Sequence, residues 1–470
     1  MITALDEAHR AAKSWLEGLD YRPVGATASL CDLRRDFDGA LPEQGTAAEV
    51  VIRDLAARAG PGLLGSAGGR FFAWVIGGGL EAALAADWLV STWDQNAALF
   101  ACSPASAVIE QTAGEWIKEL LDLPREASFA FTTGCQLAHM TGLAAARHAL
   151  LKRMGWDVEE NGLRGAPRIR VLTSEQGHGS LERAVRYLGF GREAIEPLET
   201  DSNGRVTPDV LRNALACGDG SLLLVLNAGD LNIGACDPFR ELIPIAHEAR
   251  AWVHIDGAFG LFARASRTYC HLLDGVELAD SWATDAHKWL NVPFDCGISI
   301  VRDRNAHRSA MTLSASYITP ETLARDQIDW NPEWSRRARG IPVYAALMEL
   351  GREGVEAMID RSCAQCRAIV EGIGALDGVQ ILAQPALNQG LLRFVRPSES
   401  EEANDGFTDE IIAKINATGE AFFSGTTRRG RRAMRVSVVN WRTNEQHVKR
   451  AIAAAASVLA REVAVGRWVI

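Results

Sequence analysis

The stretch "AWVHIDGAFG", Ala251 to Gly260, decides the fold class. It reads as a short apolar strand that ends on an aspartate and runs into small residues. A strand without polar alternation is one buried on both faces, as in a parallel sheet covered by helices. Working outward, the same pattern recurs. "SFAFTT" (Ser128 to Thr133), "RIRVLT" (Arg168 to Thr173) and "LLLVLN" (Leu222 to Asn227) precede it, and "SWAT" (Ser281 to Thr284) and "GISIVRD" (Gly297 to Asp303) follow. Helix-like segments stand between several of them, around 136–151 and 181–188. Strands alternating with helices define the α/β class.

The 470 residues exceed one hydrophobic core. Residues 1–80 look helical with Gly and Pro interruptions and are expected to form an N-terminal arm. Residues 81–350 hold the alternating strands. From about Gly351 a long helix, the strands "GVQIL", "LLRFV" and "MRVSVV", and a closing Ala-rich helix predict a smaller α+β domain over 351–470. The segment "RPSESEEANDG" (Arg396 to Gly406) is polar and expected as an exposed loop.

Lys plus Arg number 49 against 59 Asp plus Glu, a net charge of −10. That balance argues against broad nucleic-acid binding. The basic run Arg428, Arg429, Gly430, Arg431, Arg432 reads as a solvated hairpin. No stretch approaches a membrane span, and the start lacks a secretory pattern. A reducing, cytoplasmic setting with free thiols is expected for the nine cysteines. Cys363 and Cys366 read as helix residues, and no metal site is expected.

Four features carry chemistry. Lys288, in "ATDAHKWLNVPFDCG", sits in apolar company; burial disfavours its ammonium form, predicts a lowered pKa and makes it a candidate Schiff-base lysine. Asp256 ends a strand, where ligands of open α/β sheets bind, and a carboxylate there could keep a pyridine nitrogen protonated. In "FTTGCQLAHMTGLAAARH" a strand runs into Gly134 and a helix opens near Gln136, an arrangement suited to phosphate. His178, after the next strand, could stack on a flat ring. The glycine fingerprint of nicotinamide-dependent dehydrogenases is absent.

Together with "RFFAWVIGG", "SPASAVIE", "EQGHGSLERA", "SASYI" and "SRRARGIPVYAALMELGREGV", these segments resemble, in chain order over nearly the whole sequence, the group II pyridoxal-phosphate-dependent decarboxylases. This family includes the aromatic amino acid, histidine and glutamate decarboxylases. The resemblance implies the aspartate-aminotransferase-like fold, PLP fold type I, with a mostly parallel seven-stranded central sheet. It implies pyridoxal 5'-phosphate as cofactor and a homodimer clasped by the N-terminal helices. Lys288 would carry the cofactor, Asp256 pair with its ring nitrogen, His178 stack on one ring face and Ala258 support the other. Gly134, Cys135, Gln136 and His287 would hold the phosphate. Asp230 falls at a cofactor-binding position where well-known aromatic-type relatives have threonine. Tyr317 aligns with the mobile-loop tyrosine that protonates the substrate carbon. Trp74, Asn96 and Ala98 fall at substrate-pocket positions. The implied reaction is decarboxylation of an L-amino acid, with an aromatic one as the leading choice. A carbon–carbon lyase, like sphingosine-phosphate lyase, and an oxidative, aldehyde-forming relative are the alternatives.

Overall fold

The computed structural model describes residues 3–312 and 324–464. It divides into two compact units.

The larger unit, residues 79–363 with 385–389, is built on one seven-stranded sheet. Its strands are β1 (Ser128–Thr132), β2 (Ile169–Ser174), β3 (Ile195–Leu198), β4 (Ser221–Asn227), β5 (Trp252–Asp256), β6 (Ser281–Asp285) and β7 (Gly297–Val301). Their spatial order is β1-β7-β6-β5-β4-β2-β3. From β6 through β3 every pair is parallel, while β7 runs antiparallel to both neighbours, β1 and β6. This is the mostly parallel sheet expected. All residues of β1, β2, β5, β6 and β7 are buried, which is why the runs read as continuously apolar. β3 (Ile195–Leu198) escaped the sequence reading because its first three residues are only partly covered or exposed. The parallel strands end on a common edge that carries Thr132, Asn227, Asp256 and Asp285. Antiparallel β7 begins there at Gly297, paired with Thr132 on one side and Asp285 on the other. A side chain at Gly297 would overlap the backbone of Gly134, so glycine lets the two loops close over this edge.

One buried ion pair anchors this unit. Arg336 and Glu110 meet at 2.9 Å with their side chains at most 1% exposed. Arg336 also donates to the carbonyls of Ala97 and Phe131. Removing one partner leaves an uncompensated buried charge. Glu110→Ala should therefore lower unfolding stability by about 3–5 kcal/mol, read from urea midpoints; a loss below about 1 kcal/mol, the range of exposed pairs, would contradict this role.

The smaller unit comprises residues 1–78, 364–384 and 390–470. The segment expected as a separate arm over 1–80 thus packs with the C-terminal part, and the division differs from the boundaries at 80 and 350. Arg70 supplies the reason: its buried guanidinium donates to the carbonyls of Leu19 and Arg22 and to those of Gly419 and Glu420. The second sheet runs β10-β11-β9-β8, with β8 (Val379–Ala383), β9 (Gln389–Phe394), β10 (Ser424–Arg428) and β11 (Arg431–Ser437). The basic run is the β10–β11 hairpin turn, Arg428 pairing with Arg431 and Arg429 and Gly430 both at positive φ. β10 (Ser424–Arg428), which alternates buried and exposed residues, was not read from the sequence. The polar segment 396–406 is not wholly loop. Ser400 caps a helix over Glu401–Ala417, with Glu401 and Glu402 in its first turn; cap and acids suit a helix start. The long helix is Gly340–Gly374, interrupted at Gly351 (φ 59°), and it buries Cys363 and Cys366. No described helix is long and apolar enough to cross a membrane.

Candidate active site

The common edge of the large sheet gathers the site. Lys288 follows β6 by three residues, and its Nζ lies 3.2 Å from Asp285 Oδ2, the last residue of that strand. The other carboxylate oxygen, Asp285 Oδ1, accepts the backbone N–H of Cys135 at 2.6 Å. Cys135 opens the helix Cys135–Arg153, and Gly134 caps it without a side-chain bond. The next N–H, that of Gln136, is one that a helix start leaves without an intrahelical acceptor. His287 Nδ1 lies 3.6 Å from Asp285 and within hydrogen-bonding distance of the Cys296 backbone, and its ring lies 4.4 Å from the half-exposed ring of Phe294.

Burial alone led to the expectation of a lowered Lys288 pKa. The structure corrects it. Burial does act downward, yet Asp285, Cys135 and Asp256 together hold the ammonium above its ordinary value. The neighbouring acids were not part of the sequence argument, and they reverse its sign.

Asp256, at the end of β5, lies opposite Asn227 on β4. Burial pushes its carboxyl up, but His139, Lys288 and His178 outweigh burial and hold it well below the usual carboxylate range. It is an anion at neutral pH. One of its oxygens accepts the Ala258 N–H at 3.2 Å. Cys135, Ala138 and Ala283 pack together, with Ala258 against them. His178 caps the helix Gly179–Tyr187 at an exposed position, its Nδ1 2.7 Å from Ser180 Oγ.

The other sequence-chosen residues have these surroundings within their own units. Asp230 folds its own loop, accepting the N–H groups of Asn232 and Ala235. Gln136 Oε1 accepts from Arg183 at 3.4 Å. Asn96 Oδ1 accepts the N–H groups of Ala98 and Arg336, and Ala98 is fully buried. Trp74 belongs to the smaller unit, half-exposed against Phe71 and Phe422. Trp74 and Val75 both adopt positive φ, 55° and 58°, a conformation costing about 1–3 kcal/mol each for such residues. Tyr317 lies outside the described residues.

Four residues escaped the sequence reading: Asp285, His139, His254 and Asn227. His139 Nε2 lies 3.5 Å from Asp256 and 3.4 Å from Cys135 Sγ, and His254 hydrogen-bonds its other nitrogen. The Cys135, His139 and Asp256 donor atoms lie within 4.8 Å of one another, close enough to hold a metal ion; these contacts account for the three without one. A signal did exist. Trp252, His254 and Asp256 alternate along one strand and so share a face, and His139 follows Cys135 by one helical turn.

The residues present fit pyridoxal phosphate. A partly covered lysine lies beside an aspartate, an anionic carboxylate ends the adjacent strand, and a helix start faces the same edge. Asn227 Nδ2 is buried without a hydrogen-bond partner among the described residues, a donor available to an oxygen of the cofactor. The fold and this edge define a pyridoxal-phosphate enzyme of fold type I.

Comparison with known proteins narrows the class. Residues 31–394 match the pyridoxal-dependent decarboxylase conserved domain. The chain is similar to an L-2,4-diaminobutyrate decarboxylase of Rhizobium meliloti (strain 1021), 29% identical over 78% of this chain and 73% of that one. It is similar to an aromatic-L-amino-acid decarboxylase of Bacillus atrophaeus, 26% identical over 92% and 89%. Its fold matches an Oryza sativa TDC crystallised with PLP and tryptamine, with a TM-score of 0.91, 23% identity and 97% of each chain covered. The chain belongs to the pyridoxal-dependent decarboxylase family. It is a PLP-dependent enzyme that decarboxylates an L-amino acid.

Proposed function

We propose that Lys288 carries the cofactor, that Asp256 receives its ring nitrogen, and that the substrate is an aromatic L-amino acid. The observation that carries the site assignment is the placement of Lys288, 3.2 Å from Asp285 on the sheet edge where Asp256 is held anionic.

Bound pyridoxal phosphate supplies a protonated ring that takes up the electron pair left when carbon dioxide departs. The chain's own groups do the rest. Asp256 opposes loss of the ring proton by presenting a fixed negative charge. Asp285 orients Lys288 Nζ and, through the Cys135 N–H, sets the first turn of the helix whose next amides receive phosphate. Gly134, Gln136 and His287 would complete that phosphate-holding end, and Ala258 and His178 would flank the ring. Lys288 would hold the cofactor through its Nζ, which Asp285 keeps in place at 3.2 Å, and that amine would be the group available to release the product. Tyr317 returns one proton to the carbon that lost carbon dioxide, so amino acid plus proton gives amine plus carbon dioxide.

The similarity to an aromatic-L-amino-acid decarboxylase over most of the chain supports an aromatic substrate. The half-exposed Phe294 ring beside His287 suits a flat side chain; the family resemblance adds Asn96 and Ala98 as substrate-side candidates in the larger unit and Trp74 as one in the smaller. Asp230 shapes the loop after β4 next to Asn227. We further read the protein as a cytoplasmic homodimer; nine free cysteines accord with a reducing compartment.

A panel of L-amino acids tests the substrate, with carbon dioxide, amine and oxygen recorded together. Equal carbon dioxide and amine from aromatic substrates, without oxygen loss, is the expected result. Preference for a diamino acid would overturn the aromatic assignment, and oxygen uptake with aldehyde would place the enzyme on the oxidative branch. Tyr317→Phe should bind cofactor as the native protein does and lose at least about 100-fold in amine formation, within the range for a positioned proton donor. Unchanged amine output would remove Tyr317 from the mechanism.

A further inference from the structure

Behind Asp256 runs a series of buried hydrogen bonds that begins at a group able only to donate. Trp252 Nε1–H donates to Ser281 Oγ at 2.8 Å, and an indole N–H accepts nothing. Ser281 Oγ stands 2.7 Å from His254 Nδ1, and His254 Nε2 stands 2.9 Å from His139 Nδ1. His139 Nε2 then faces Asp256 Oδ2 at 3.5 Å, an electrostatic contact rather than a short hydrogen bond. Ser281, His254 and His139 are fully buried, and Trp252 nearly so. The fold makes room for the series. Gly142, three residues beyond His139 on the same helix, leaves the space for the His254 ring, since a Cβ there would come within 3.0 Å of His254 Cε1.

Two polarities are conceivable, and proton accounting separates them. If His254 carried its proton on Nδ1, Ser281 Oγ would accept from both Trp252 and His254. Its own proton would then have no acceptor among the described residues. If Ser281 O–H instead donates to His254 Nδ1, every proton is used. His254 then donates from Nε2 to His139 Nδ1, and His139 carries its proton on Nε2, toward Asp256. Burial, with His139 adding to it, holds His254 well below its ordinary pKa.

We infer that His139 is a positioning residue: the polarity imposed from Trp252 through Ser281 and His254 holds it in the tautomer whose Nε2–H faces Asp256. That N–H keeps the carboxylate anionic and aimed at the cofactor's ring nitrogen. No proton travels along the series during turnover; it is a fixed support. The inference rests on the assignment of Asp256 as the partner of that nitrogen. The groups facing Asp256 are His139 and Cys135 from the helix Cys135–Arg153, Lys288 from the β6–β7 connection, and His178 from the turn after β2.

The test uses the full-length protein stripped of cofactor and titrated with pyridoxal phosphate. It reads the dissociation constant from the visible absorbance of Lys288-bound cofactor and the pH at which that absorbance changes. His139→Leu should weaken affinity about tenfold, the scale of losses when a supporting hydrogen bond behind a ligand is removed, and should move the pH transition. His139→Gln, whose longer amide places an N–H near the position of Nε2 and can still face Asp256, should stay within about threefold of the native protein. Ser281→Ala, which deletes one hydroxyl and frees the His254 tautomer, should fall between them and keeps the inference testable if His139→Leu does not fold. Folded variants with native affinity and native pH transition would overturn the inference alone. A native protein that forms no visible band with pyridoxal phosphate would overturn the site assignment with it.

Discussion

Lys288→Ala is expected to fold, to form no visible band with pyridoxal phosphate, and to lose at least about 1000-fold in turnover, roughly 4 kcal/mol of barrier. The large effect follows from the position of the amine. Nζ is held 3.2 Å from Asp285 Oδ2 and is the only side-chain amine that the site assignment places against the cofactor. An alanine removes the covalent hold and the group that later displaces the product. Borohydride treatment followed by peptide mass analysis is the decisive measurement. A reduced adduct that still forms at the active site of the variant would refute the assignment of Lys288. The fold should tolerate the change, because losing the ammonium leaves Asp285 with its short bond to the Cys135 N–H.

Asp256→Ala should be nearly as damaging by a different route. The carboxylate is buried yet held anionic, because His139, Lys288 and His178 outweigh the effect of burial. Without it, nothing at that strand end opposes loss of the ring proton, and the ring becomes a poorer acceptor for the electron pair. A fall of about 1000-fold in kcat/KM is expected, again about 4 kcal/mol, together with weaker cofactor affinity. The visible band should survive, since Lys288 is intact, and that separates this variant from Lys288→Ala. A variant with native kcat/KM would show that the ring nitrogen has another partner.

Much of this was legible because it depends on local pattern. Continuous apolar runs identify strands buried on both faces, and they located six of the seven strands of the large sheet. The β3 run "IEPL" was missed because an edge strand with exposed residues loses that pattern. Asp256 was legible because it ends an apolar strand, and Lys288 because a lysine stands out among the apolar residues of "ATDAHKWLNVPFDCG". Asp285 was passed over although it stands three residues before Lys288, because its importance lies in where its two oxygens point, one to Lys288 and one to a helix start 150 residues earlier.

What the sequence determined by itself is the set of parts: the strands, the helix start at Gly134, the strand-end aspartate, and the lysine whose surroundings mark its family. Strand burial and helix starts are short-range properties, written in consecutive residues. Only the tertiary structure decided how those parts act on one another. It reversed the expected pKa direction of Lys288, packed residues 1–78 with the C-terminal part through Arg70 and the carbonyls of Gly419 and Glu420, and lined up Trp252, Ser281, His254 and His139 behind Asp256. Each depends on charges or hydrogen-bond donors brought within a few ångströms from distant positions, and Coulomb and hydrogen-bond energies are set by that spatial distance rather than by separation along the chain.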